Sequence, residues 1–220
     1  MINSIVNYRM VIFLMKNFHM SPLLKIYLLF FVLLFIVLVF VVPSVRVFKQ
    51  TGINPFRFMT NHDKVHDYVG MIMKIFIVLL LINVLIYAFF GSIYQYLAPF
   101  YYLEMHSLKI AGFTLGHLAL AGIRIAQSHM RHSWRIGIDY EHKTQLITVG
   151  FFRFSRNPIY LFLLIALLGI FFILPNAITV TILFSAFLLL QISIRLEEDF
   201  LEKQHGTAYH EYKQKVRRLL

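Results

Sequence analysis

The chain contains no cysteine among its 220 residues. That excludes disulfide frameworks, thiolate metal centres and cysteine nucleophiles. Charge is also scarce: Asp, Glu, Lys and Arg make up 14% of the sequence, against about 25% in a soluble domain. So few charges cannot cover a water-facing surface, so an ordinary soluble fold is excluded. Acidic residues are the scarcest, 10 against 21 Lys and Arg, leaving a net charge of +11. Tryptophan occurs once, against 23 Phe and 12 Tyr. What the chain has in excess is apolar side chain: 59% hydrophobic residues and a mean hydropathy of +0.72. Disorder and collagen-like architectures are excluded on the same grounds, and an all-α, multi-pass membrane protein remains. In so apolar a chain the positive charge reflects the basic bias of loops on one membrane face. The partner it implies is the bilayer, with no nucleic acid.

A spanning helix needs about 20 predominantly apolar residues. Ile26 to Val42, bracketed by Lys25 and Pro43, reads as the first span, and Tyr68 to Phe90 as the second. Leu108 to Gln127 is the third and least apolar, with Lys109, His117 and Arg124 inside it. Asn157 to Ile194 then runs 38 residues without a charge, about 57 Å as one helix. It must fold back, and Pro175-Asn176 at its middle is a turn signal. The reading is therefore about five spans ending in a tight hairpin with arms of equal length. Residues 1–127 form an N-terminal region with three spans, and residues 128–220 form the core. Loops 44–67 and 128–158 and the tail from Arg195 carry 15 of the 21 Lys and Arg. Their face, with the C-terminus, is expected to be cytoplasmic; in a bacterial cell the membrane would be the inner one. The first 20 residues read as an interfacial helix or an upstream extension, with no cleavage site after the first span.

Polar residues gather in loop 128–158, at the hairpin start and in the tail, so a compact polar site on that face is a geometric expectation. The segment Gly150-Phe-Phe-Arg-Phe-Ser-Arg156-Asn157-Pro158-Ile-Tyr160 resembles a G-x-Y/F-x-x-x-R-H/N-P-x-Y motif. Downstream, Glu197-Glu198-Asp-Phe-Leu201, Gly206-x-x-Tyr209-x-x-Tyr212 and Val216-Arg217 resemble an E-E-x-x-L, F-G-x-x-Y-x-x-Y, V-x-R tail. Together with Ser133-Trp-Arg-Ile-Gly-Ile138, these are similar to the isoprenylcysteine carboxyl methyltransferases and the related phospholipid methyltransferases. The likeness covers roughly Ser133 to Arg218.

The resemblance implies an integral membrane methyltransferase. It would use S-adenosylmethionine at the cytoplasmic end of the hairpin and act on a lipophilic, membrane-borne acceptor. It places cofactor contacts on Thr144, Gln145, Leu146, Ile147, Phe152, Asn157, Pro158, Ile159, Tyr160 and Glu197, with Gly137 adding a backbone contact. In physical terms, Glu197 can accept a charge-assisted bond from the cofactor's ammonium or ribose hydroxyls, with Glu198 beside it. Arg153 or Arg156 can pair with its carboxylate, and Phe152 and Tyr160 offer aromatic faces. The sequence departs from the family in three places. Asn157 stands where many members have His, Phe152 where many have Tyr, and Ser193 where eukaryotic members have a substrate-binding Arg. Arg195 is the nearest cation to that last position. Arg195 and Arg124 are the candidate acceptor-side catalytic groups, Arg124 through a polar stripe (His117, Arg124, Gln127) lining an entry path.

Rival readings remain open. One is a non-catalytic transporter or assembly protein, and another is an NADPH-dependent reductase of the sterol type. His62 and His66 at i,i+4, and His129 and His132 at i,i+3, have metal-ligand spacing. No His-x-x-His-His box accompanies them, so no metal is expected. Gly112-x-x-x-Gly116 is a close-packing motif, for neighbours within the chain or for a homodimer.

Overall fold

The computed structural model describes residues 20–58 and 64–219. The expectation for the N-terminal stretch and the pairing of His62 with His66 fall wholly or partly outside the described residues. Of the described residues 78% are helical, and they form no sheet. Its main helices are α1 (Pro22–Thr51), α2 (Lys64–Phe89), α3 (His106–Met130), α4 (Pro158–Ile173), α5 (Ala177–His205) and α6 (Thr207–Lys215). Apolar side chains point outward all along the long helices, as in Phe30, Val37, Ile75, Leu118 and Phe184. A lipid-embedded bundle needs this arrangement and a soluble one does not tolerate it.

Among the described residues, four helices are long and apolar enough to cross a membrane: α1, α2, the α3 segment extended to Ser133, and α5. The count of five is not confirmed, because α4 has only 16 residues, about 24 Å of helix. The hairpin is present but its arms are unequal. At one end Asn157 leaves helical geometry (φ −129°, ψ 56°) ahead of Pro158. At the other, the turn is buried instead of reaching a surface. Phe100 N–H donates to Pro175 O (2.7 Å) and Ala177 N–H to Ala98 O (3.3 Å), so the 98–100 segment closes over it. Asn176 caps α5 through Thr179 N–H (2.9 Å) and exchanges amide bonds with Asn83 (3.0 and 3.2 Å). The other arm, α5, continues eleven residues past Ile194 and carries Glu197 and Glu198 beyond the hairpin.

Helix α1 also differs from expectation: it runs through Pro43 instead of stopping there. Proline has no N–H to give, and the helix absorbs it with a π-helical segment at Val37–Val41. Val42 N–H bonds back to Val37 O, so the carbonyls of Leu38 and Val39 lose their usual donors. Side chains of α3 fill both: Arg124 donates to Leu38 O (2.9 Å) and Gln127 to Val39 O (2.7 Å). Arg124 also donates to Gln127 Oε1 (2.9 Å). His117, the remaining member of the stripe, is bound by Tyr27 Oη (2.7 Å).

Helices α3 and α4 are the most closely packed pair. A Cβ on Gly112 would come within 2.5 Å of Gly169 O and 2.7 Å of Ile173 Cγ1, so the glycine motif is spent within the chain. Gly116 packs against Phe31 of α1. The seam offered for a second copy is therefore occupied by α1 and α4.

Candidate functional site

The site is assembled at the end of the bundle where loops 53–58 and 131–157 meet the overhang of α5. Arg57 N–H donates to Ile136 O (2.9 Å) and Ile136 N–H to Pro55 O (2.8 Å), knitting the two loops together. Asp139 is the electrostatic centre of this junction. Arg135 Nε lies 2.8 Å from it, Arg57 Nε 3.3 Å and His142 Nδ1 3.2 Å. Burial alone would push the Asp139 carboxyl up. The hydrogen bonds from Arg135 and His142, with the Arg57 charge, outweigh burial and hold it below the usual aspartate value. His66 receives the Ile138 N–H (3.0 Å) and stacks on Phe58. Gly137 (φ 88°) sits against that ring.

The tail clamps the hairpin start. Arg156 N–H donates to Arg217 O (2.9 Å) and the Asn157 amide to Arg218 O (3.0 Å). Arg156 and Arg218 grip the buried Glu198 from both sides at 2.7 and 2.8 Å. Arg156 also donates to Val216 O (2.5 Å) and Lys213 O (3.1 Å). Tyr212 Oη donates to Phe152 O (2.6 Å), and burial raises this phenol to about 12.

Between the clamp and the loops lies a cavity of about 520 Å³. A smaller one of about 80 Å³ adjoins it across Met130, Arg135, Gly137, Phe152, Arg156 and Glu197. Among the described residues, Glu197 is the only carboxylate on the larger cavity's wall. Its hydrogen-bond partner is Tyr160 Oη (3.0 Å). Two adjacent carboxylates thus differ sharply: Glu198 is neutralised by two guanidiniums, whereas Glu197 faces the cavity with no cation bonded to it.

Most of the residues singled out from the sequence converge here. Gly137, Phe152, Arg156, Asn157, Pro158, Ile159, Tyr160 and Glu197 line the larger cavity. Thr144, Gln145, Leu146 and Ile147 line the smaller. Four do not join them. Arg153 is exposed outside both cavities, and Glu198 lies behind the wall. Arg195 is exposed and donates to Gln191 O (3.0 Å). Arg124 is held on the Leu38 carbonyl. Phe56, Phe58 and Lys74 also line the larger cavity and were not singled out, and Trp134 and Arg135, which belong to the resembling Ser133–Ile138 segment, were given no role there. Phe56 and Phe58 reach the cavity through the pairing of loops 53–58 and 131–157, which no local motif records.

A short helical turn opened by Gly150, a helix started by Pro158, a carboxylate on the helical overhang beyond the hairpin and a buried arginine clamp together form a polar, cavity-bearing site at one end of a helical bundle. Residues 109–208 match the family model described as phospholipid methyltransferase, so this segment is similar to that family. The match runs from the first turns of α3 to the start of α6. Comparison with curated proteins returns no match.

Proposed function

We propose that the protein is a membrane methyltransferase that takes its methyl group from S-adenosylmethionine and passes it to a lipophilic acceptor. The observation that carries this reading is Glu197. A carboxylate turned into a cavity and hydrogen-bonded to a phenol, with every nearby guanidinium engaged elsewhere, is a receptor for a cationic ligand. S-adenosylmethionine, when bound, supplies a methyl group on a cationic sulfonium together with an ammonium.

The residues present fit that group. Glu197 would hold the ammonium or ribose hydroxyls, and Tyr160 would fix the carboxylate's orientation. Phe152 and Trp134 supply apolar and aromatic wall. The stretch Thr144–Ile147 supplies backbone groups along the smaller cavity. Arg156, although occupied by Glu198, presents a guanidinium edge to the wall and favours a carboxylate nearby. The polypeptide's remaining work is to position the reactants and exclude water, which the Arg156–Glu198–Arg218 clamp serves by sealing the end of the bundle.

The larger cavity's apolar wall continues into a second, wholly apolar slot of about 130 Å³ between α1, α2, α4 and α5. Ile36, Phe40, Met73, Ile77, Leu163 and Leu190 line both. This continuity supports an acceptor with an apolar chain. The basic loops and tail support a cytoplasmic position for the site, where a soluble cofactor is available.

Titration calorimetry of detergent-purified protein with S-adenosylmethionine tests the reading. Glu197→Gln should weaken binding by about 1.5–3 kcal/mol, the worth of a hydrogen bond to a charged group. Wild-type protein that does not bind the cofactor would reject the function. Unchanged affinity in Glu197→Gln would reject the role of that residue.

A further inference from the structure

A cavity of about 760 Å³ adjoins the site just described along the Thr144–Ile147 segment. Thr51 and Ile53, at the end of α1, form one side. The residues from Ser128 to Ser133, at the end of α3, form another, and Lys143 to Val149 complete it. Among the described residues its charge is of one sign: Arg131, His132, Arg135 and Lys143 line it, and no acidic residue does. Arg135 is committed to Asp139. Arg131 and Lys143 have no acidic partner among the described residues, although the same loop region supplies one to Arg57, Arg135 and His142. His129, which also lines the cavity, has a buried Nδ1 with no hydrogen-bond partner.

The backbone adds an independent observation. Arg131 stands at φ 49°, ψ −116°, a conformation that strains any residue with a Cβ. Nearly the same conformation, φ 56°, ψ −126°, recurs at Gly206. At Arg131 the strain is retained together with a long cationic side chain on the cavity wall. Glycine would serve the turn better, so the side chain is what the position keeps.

We propose that this cavity binds a phosphate group, gripped by the Arg131 guanidinium and the Lys143 ammonium, with His129 or His132 as a further donor. A guanidinium fork matches phosphate oxygens in pairs. The cavity lies just past the ends of two membrane helices, the depth at which lipid headgroups sit. A phosphodiester headgroup and a free phosphate present the same oxygens. Glu197 does not line this cavity, and the proposal does not depend on the methyl-transfer reading. The cavity adjoins the smaller cavity of the site described above through shared walls at Met130, Ser133, Arg135, Thr144, Gln145 and Ile147.

The experiment is titration calorimetry of the full chain in a phosphate-free maltoside detergent, with three probes: inorganic phosphate, dihexanoyl phosphatidylglycerol and dihexanoylglycerol. Wild type should bind at least one of the first two and not the third. Comparable affinity for the first two assigns a free phosphate; tighter binding of the phospholipid assigns a headgroup. Arg131→Gly relieves the backbone, so its unfolding temperature should be unchanged or higher, while phosphate-probe affinity falls by about tenfold or more. Lys143→Gln should also weaken binding by about tenfold and covers the case in which Arg131→Gly fails to fold. Lys215→Gln, an exposed cation outside the cavity, should bind as wild type. Three results would overturn the site: no binding of either phosphate probe, full binding in both Arg131→Gly and Lys143→Gln, or an equal loss in Lys215→Gln.

Discussion

Pro43, Gln127 and Arg124 form a closed account of hydrogen bonds that a double-mutant cycle can open. In Gln127→Leu the Val39 carbonyl loses its 2.7 Å donor, and Arg124 loses one of its acceptors. An unsatisfied buried polar group costs about 1–3 kcal/mol. Interhelical hydrogen bonds in membranes average nearer 0.6 kcal/mol with a maximum of about 1.7, because the dissociated helices find other partners. Here the dissociated α1 still carries Pro43 and still lacks the N–H, so its carbonyl finds none within the helix. The expected cost therefore lies at the upper end, about 1.5 kcal/mol. In a Pro43→Ala background the restored N–H reaches Val39 O along the helix, the π segment can relax to α, and Gln127 becomes dispensable. Gln127→Leu should then cost about 0.5 kcal/mol or less, the level at which independent sites add. Unfolding of the four proteins in mixed micelles, followed by circular dichroism, measures the cycle. Equal costs of Gln127→Leu in both backgrounds would refute the idea that α3 serves the proline-freed carbonyls.

Three further outcomes are expected. Glu198→Gln leaves the buried Arg156 guanidinium without its counter-charge. It should destabilise the protein by about 3 kcal/mol, the low end for breaking a buried pair because Arg218 is partly solvated, as read by the unfolding midpoint. Gly112→Ala, driven against the Gly169 carbonyl, should cost about 1–3 kcal/mol by thermal unfolding. Gly91→Ala, with open space around it, should cost far less. Asp139 has a folded-state carboxyl below its ordinary 3.8. Its contribution is present above that value and is lost as pH falls through the lower folded value. Limited proteolysis of the 131–157 loop should therefore accelerate between neutral and strongly acid pH in wild type. In Asp139→Asn the loop should be cleaved faster already at neutrality, with a flatter acid response.

Hydropathy located the helices because lipid imposes one rule on every exposed position, and the hairpin was legible because Pro175-Asn176 interrupts a charge-free run. Helix ends were less legible. A charge or a proline ends an apolar window without ending a hydrogen-bond ladder, and so α1 runs on to Thr51 through Pro43. The short α4 has a similar origin: its turn is covered by residues 98–100, a long-range contact with no local signature. The motif residues converge on one end of the bundle because most lie within a few residues of the Gly150 turn or the overhang of α5. The pairing of Asp139 with Arg57 was not legible. It joins loops 82 positions apart in sequence, and nothing in a string of residues says which cation a carboxylate will meet. The polar stripe of α3 was visible as a pattern, but its partners are backbone carbonyls, which a side-chain pattern cannot display.

The grip of the tail on the hairpin has a consequence for truncation. Residues 213–218 supply the Lys213, Val216 and Arg217 carbonyls to Arg156 and the second guanidinium to Glu198. A chain cut before residue 213 keeps every described helix long enough to span a membrane, because the last of them ends at His205. Its hairpin mouth, however, is left open to water, with the Arg156 guanidinium short of two carbonyl acceptors. Insertion in lipid and closure of the chamber are thus separable properties, carried by different stretches of the chain.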